Sequence, residues 1–197
     1  MKKLLFLLIA VLMTAPTYAL ELSGTYTITS DYIWRGISQT NEDPAFQLGV
    51  EKEYNGFYGG LWASGVDIGI DTNVEVDLYG GYAGSFKGIS YDIGYMTYNY
   101  DGGANLDFEE RYISLGYGPL TIGHHRDKDN GLEYNYVDMA LSFIPVVDVS
   151  LHYGEYDGVK DKAISMDYDL PYNLSLGVMY NNGALDDSII VSIGGSF

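Results

Sequence analysis

From Leu22 to the final Phe197 the chain keeps one rhythm. Ser23, Thr25, Thr27 and Thr29 share a face, with Leu22, Tyr26 and Ile28 on the other. Phe46, Leu48 and Val50 alternate with Gln47, Gly49 and Glu51, and Val74, Val76 and Leu78 with Glu75, Asp77 and Tyr79. Ile89, Tyr91, Ile93 and Tyr95 alternate with Ser90, Asp92 and Gly94. The same period of two returns around 113–122, 137–143, 147–153, 164–170, 174–180 and 189–197. That period means strands with two unlike faces. No window beyond the leader carries a helical period. The stretch 57–67 offers an apolar face either way, so its facing stays open.

The connections alternate as well. Asn55-Gly56, Lys87-Gly88, Gly118-Pro119, Ile144-Pro145 and 170–173 are tight, and Asn-Gly is a strong hairpin signal. The segments 37–43, 68–72, 100–107, 127–131, 155–161 and 181–187 are longer and polar. Five turns and six loops join twelve strands, or ten if 57–67 and its neighbours are misread. All loops then lie at one end and both termini at the other. Strands of about 9–12 residues are long enough to cross a bilayer when tilted. Short turns at one end with longer loops at the other are the layout of outer-membrane barrels. The expected fold is all-β: a closed, antiparallel, up-and-down transmembrane barrel over 20–197. A soluble secreted sandwich is the competing architecture.

The first residues change where this barrel should reside. Met1-Lys2-Lys3, an apolar run from Leu4 to Met13 and Thr17-Tyr18-Ala19 have the layout of a signal peptide over 1–19, cleaved after Ala19. The expected destination is the cell outer membrane of a Gram-negative bacterium, reached by export through the inner membrane. Aromatic side chains near strand ends read as interfacial belts. Trp34, Tyr54, Phe57, Tyr91, Tyr117, Phe143, Tyr180 and Phe197 are the belt candidates. Tyr32, Tyr98, Tyr100, Tyr134, Tyr136, Tyr153 and Tyr156 are placed toward the loop-side belt as well.

Charge then decides the interior. The 197 residues carry 10 Lys+Arg against 27 Asp+Glu, a net −17, and no Cys. This excludes a nucleic-acid partner, a disulfide scaffold and a thiolate metal site. If apolar faces meet lipid, the other faces line the lumen. The pore-lining candidates are Asp31, Arg35, Glu51, Glu75, Asp77, Asp92, Glu110, Asp138, Asp148, His152 and Asp167. Acidic linings favour cations, so replacing Glu75 and Asp77 with amides is expected to shift selectivity. Asp31 and Arg35 read either as a constriction or as an ion pair fixing the first strand to its neighbour, the simpler reading.

Three stretches also resemble a known family. Ser30-Asp31-Tyr32-Ile33-Trp34-Arg35-Gly36-Ile37-Ser38-Gln39-Thr40 is similar to the early motif of the TorF porin family. Pro44 to Val50 and Gly59 to Asp67 are similar to its next segments. The resemblance implies a Gram-negative outer membrane and a pore; it supplies no catalytic residues and names no solute.

Other chemistry finds little support. Asp127-Lys128-Asp129-Asn130-Gly131 misses the calcium-loop spacing, with no Glu at the twelfth position. His124 and His125 are adjacent on a strand and face opposite sides. No nucleophile motif accompanies the three His. The expectation is no enzyme, no cofactor and no metal. The expected function is passive diffusion of small hydrophilic solutes or ions, with outer-membrane lipid as surroundings and a monomer compatible with everything above. The alternative is a structural or surface-interaction barrel without an open pore.

Overall fold

The computed structural model describes residues 22–69, 71–102, 106–141, 144–183 and 187–197. The signal peptide and Phe143 lie outside the described residues. In chain order the strands are β1 (Leu22–Thr29), β2 (Ile33–Trp34), β3 (Ile37–Ser38), β4 (Ala45–Tyr54), β5 (Phe57–Gly65), β6 (Val74–Phe86) and β7 (Ile89–Tyr100). There follow β8 (Phe108–Tyr117), β9 (Leu120–Asp127), β10 (Glu133–Leu141), β11 (Asp148–Tyr156), β12 (Val159–Leu170), β13 (Leu174–Asn182) and β14 (Asp187–Ser196). Twelve of them pair antiparallel with their neighbours, and β1 pairs with both β4 and β14, closing a barrel. The small β2–β3 hairpin stands apart from the wall.

Tight turns follow from backbone chemistry. Asn55 and Gly56 take φ of 53° and 83°, and Lys87 and Gly88 take 51° and 81°. Positive φ at both central residues matches the right-handed twist of the strands they join. One connection expected to be long is also of this kind: Asp157 and Gly158, at 49° and 85°, link β11 directly to β12.

The wall is apolar outside and polar inside. Ile28, Phe46, Leu78, Ile93, Ile113, Ile122, Met166, Val178 and Ile193 are all exposed, while only six hydrophobic residues are buried among those described. Buried positions are dominated by Thr, Ser, Asp, Glu and Asn. In β5 the open facing is settled: Trp62 turns inward against Tyr32, with ring centroids 5.2 Å apart, and Ser64 is buried beside it.

The first strand is shorter than expected. It stops at Thr29, and 30–44 folds back as the β2–β3 hairpin. The simpler reading of Asp31 and Arg35 as strand-mates is therefore corrected. Ser30 and the Asp31 carbonyl turn the chain: the Ser30 hydroxyl accepts from the Val191 amide, and the Thr29 hydroxyl donates to Asp31 O.

At the seam, Gly24 N donates to Phe197 O at 2.9 Å and Phe197 N donates to Gly24 O at 3.0 Å. The Phe197 ring occupies the space a Cβ on Gly24 would need. Gly24→Val is therefore expected to push this ring off the seam and destabilise the barrel by about 1–3 kcal/mol, the usual cost of overpacking. Urea unfolding in detergent micelles checks this; an unchanged midpoint contradicts it.

Candidate functional site

The hairpin projects into the barrel. At its tip Arg35 and Gly36 take φ of 48° and 79°, making a turn of the same kind as those in the wall. Gly36 meets this geometry without strain and also lies where a Cβ would press on Asp161 of β12. The turn holds the Arg35 guanidinium against the far wall. Arg35 Nη1 and Nη2 donate to Glu110 Oε1 and Oε2 at 2.7 and 2.6 Å. This fork matches the carboxylate plane and adds direction as well as charge.

Glu110 of β8 is 0% exposed and collects further donors. The Tyr98 hydroxyl donates to it at 3.2 Å, and His125 Nδ1 stands 3.2 Å from Oε2. The Arg35 guanidinium also sits over the rings of Trp34, Tyr134 and Tyr156 at 4.4, 4.4 and 4.9 Å. Such desolvated contacts are worth about 2 kcal/mol each at best. Burial works against the charge on Arg35, yet the hydrogen bonds and charge of Glu110 leave its pKa raised. At the hairpin base, Asp31 Oδ1 accepts from Ser38 and Thr40 hydroxyls, both at 2.7 Å. Asp31 thus braces the hairpin and does not pair with Arg35.

This arrangement corrects several placements. Trp34 is no belt residue: its ring packs on Tyr98, Phe108 and Tyr156 inside the barrel. Tyr98, Tyr134 and Tyr156 belong to the same interior cluster, and Tyr136 stacks on Tyr134. Tyr58 donates to Asp92 at 2.6 Å and also meets the Tyr112 hydroxyl. The inner face from β5 to β11 thus carries a cluster of tyrosines. On the outside, Tyr54, Phe57, Tyr117, Tyr180 and Phe197 are exposed, and Tyr91 contacts Tyr82 on the outer face.

The acids divide accordingly. Glu75 and Asp77 are 1% and 5% exposed, close to each other and to Tyr32, Tyr100 and Glu110. Both are buried on the inward face, whereas the pore-lining candidate Asp167 is exposed. Asp138 is held by His152, whose Nδ1 lies 2.6 Å from Asp138 and whose Nε2 lies 2.8 Å from both Asp161 Oδ2 and the Tyr134 hydroxyl. Asp161 was missed because 155–161 reads as loop; its alternation with Ala163, Ser165 and Asp167 was the available signal. Glu51 is half-buried on the inward face of β4. His124 faces outward to Asn135 while His125 faces the lumen, as neighbouring strand residues must.

Cavities lie on the other side of the lumen. Two of about 550 and 320 Å³ run along β1, β12, β13 and β14, and a third of about 410 Å³ lies between the hairpin and 67–69 at the loop end. The first and second share Thr27; the second and third share Asp31 and Ile33. Asp169 borders the first, Asp167 the second, and Glu42 and Asp67 the third. Asp148 lies directly opposite Asp167, and both are exposed within the barrel. Thr, Ser and Gly supply nearly half of the remaining lining, and these small side chains leave room on this side.

Comparison with known proteins completes the site's setting. A family model described as "Bacterial protein of unknown function (Gcw_chp)" matches residues 14–169. The chain belongs to the Gcw_chp family. No curated protein matches this Gcw_chp chain in sequence. Among solved structures, the KdgM porin is similar at 12% identity and a TM-score of 0.69, over 89% of this chain and 99% of that one. The KdgM porin in complex with disordered oligogalacturonate matches at 10% identity and 0.68, over 89% and 98%. These likenesses place the Gcw_chp chain in a porin-like, twelve-stranded barrel fold. They support that fold and do not single out the TorF family.

Glu110→Gln is expected to leave Arg35 buried without its counter-charge and to cost about 3–5 kcal/mol of docking, as for other broken buried pairs. Proteolysis within 30–44 should then accelerate while the wall stays intact. The double variant Arg35→Met with Glu110→Leu should recover protection; equal sensitivity of all three proteins contradicts the anchoring role.

Proposed function

We propose that this chain is an outer-membrane porin-like channel for passive diffusion of small hydrophilic solutes, with a preference for cations. The single observation that carries the reading is the contiguous series of cavities beside the hairpin within a barrel whose outer wall is apolar. A wall exposing Ile, Leu, Val and Phe all round has no stable place in water, and closure satisfies its backbone in lipid. The exported, Gram-negative destination rests on the leader at 1–19, and the finer likeness to TorF porins on 30–67.

Selectivity is assigned to the open half. Asp148 and Asp167 stand side by side on paired strands, Asp169 follows two residues along on the same face, and Asp31 borders the second cavity from the hairpin base, with no Lys or Arg among them. A low-dielectric wall focuses the field of such carboxylates along the path. The oligogalacturonate in the KdgM porin complex is an acidic sugar chain; here an anion of that kind would meet Asp167 and Asp169 and be disfavoured. A blocked, structural barrel is the second reading, favoured by the hairpin and the tyrosine-filled half.

Planar-bilayer recordings under a salt gradient separate the two. The channel reading expects discrete steps and a cation-selective reversal potential. Asp167→Asn with Asp169→Asn should move that potential toward zero, and Glu75→Gln with Asp77→Asn should move it little. Silence across many insertions of folded protein sinks the channel, and anion selectivity sinks the lumen assignment.

A further inference from the structure

Beyond the leader the chain has eight Lys and Arg, and only Arg35 turns into the lumen. Five of the others gather at the loop end: Arg111 on β8, Arg126 on β9, Lys128 just past it, and Lys160 and Lys162 on β12. Arg111 and Arg126 face outward and stand directly opposite each other. Like charges at such a cross-strand position repel.

Their partners differ. Arg126 Nη1 lies 3.3 Å from Glu133 Oε1. Lys128 pairs with Glu109, which also takes the Tyr95 hydroxyl, and this raises the Lys128 pKa. Arg111 has no ion-pair or hydrogen-bond partner among the described residues. It is exposed and level with Tyr95, its partner across β7, on the outer wall. Below it runs a shallow groove of about 560 Å³, floored by Gly80, Ile93 and Ile113 and rimmed by Tyr95, Arg111, His124 and Arg126. Gly80 deepens the floor by presenting no side chain.

An apolar floor under an unpaired cation describes a ligand that is half hydrocarbon and half anion. Cations beside a tyrosine, on the loop-end part of an apolar wall, suit an anionic lipid headgroup. We propose that Arg111 and Arg126 bind the phosphate of a membrane lipid in the leaflet at the loop end, with an acyl chain lying in the Ile93–Ile113 groove. The phosphate would separate the two guanidinium groups and supply the counter-charge that Arg111 lacks. The proposal rests on the membrane-barrel reading, and charge complementarity favours it: attraction to an anionic lipid must arise locally in a chain of net −17.

The test uses the folded, full-length protein in detergent micelles, titrated with phosphatidylglycerol or phosphatidylcholine and read by native mass spectrometry. Wild type should retain phosphatidylglycerol over phosphatidylcholine by roughly fivefold for each cation. Arg111→Gln with Arg126→Gln should abolish the preference, and Lys52→Gln with Lys87→Gln, at the turn end, should preserve it. Equal retention of both lipids by wild type, or an unchanged preference in the arginine variant, overturns the proposal. Full competition by inorganic phosphate also overturns it, since the groove would then be idle. Failure of the membrane reading is seen separately, as protein that does not insert into liposomes of either lipid.

Discussion

Closure of the hydrogen-bonded ring is the constraint from which the other features follow. Every wall strand has partners on both sides only because β1 meets β14, and the last residues of that junction are Gly24 and Phe197. With no free edge, the outer side chains can all be apolar without exposing unpaired backbone. The polar side chains must then go inward, where a twelve-stranded ring is too wide for them to fill completely. The hairpin, the tyrosine cluster and the hollow half are three ways the interior uses that excess room.

The interior is organised by one charge. Arg35 arrives on a turn whose backbone would suit any hairpin, but its guanidinium finds Glu110 on the opposite wall. That pair recruits Tyr98, His125, Trp34, Tyr134 and Tyr156 around it. The rings pack on one side of the barrel, and cavities lie on the other. The packed and hollow sides are therefore both shaped by the same crossing segment.

Much of this was legible in the sequence. The alternation assigned wall faces correctly along β1, β4, β6 and β7, because a period of two survives wherever one face is buried. Strand number and the Asn55-Gly56 and Lys87-Gly88 turns followed from the pattern, whereas the Asp157-Gly158 turn was hidden in a stretch that reads as loop. The hairpin did not, since Ser30 to Gly36 reads as a continuation of the first strand and 37–43 as a plain loop; the long-range partner Glu110 reveals the fold-back. The tyrosines misled for a related reason: a ring with a hydroxyl suits a membrane interface and a polar interior equally well. Glu75 and Asp77 have the right parity for the lumen, but parity cannot tell a packed interior from an open one.

The hollow half has a position that matters for assembly. Its wall is made from β1 and β4 at one end of the chain and β12, β13 and β14 at the other, so the junction that completes the ring runs through the open side. Until that junction forms, the cavities have no common boundary. The hollow half thus depends on contact between the two ends of the chain, and the packed half depends on the hairpin carrying Arg35 to Glu110 on β8. Cavities placed in this way are bounded only once the chain's two ends have met.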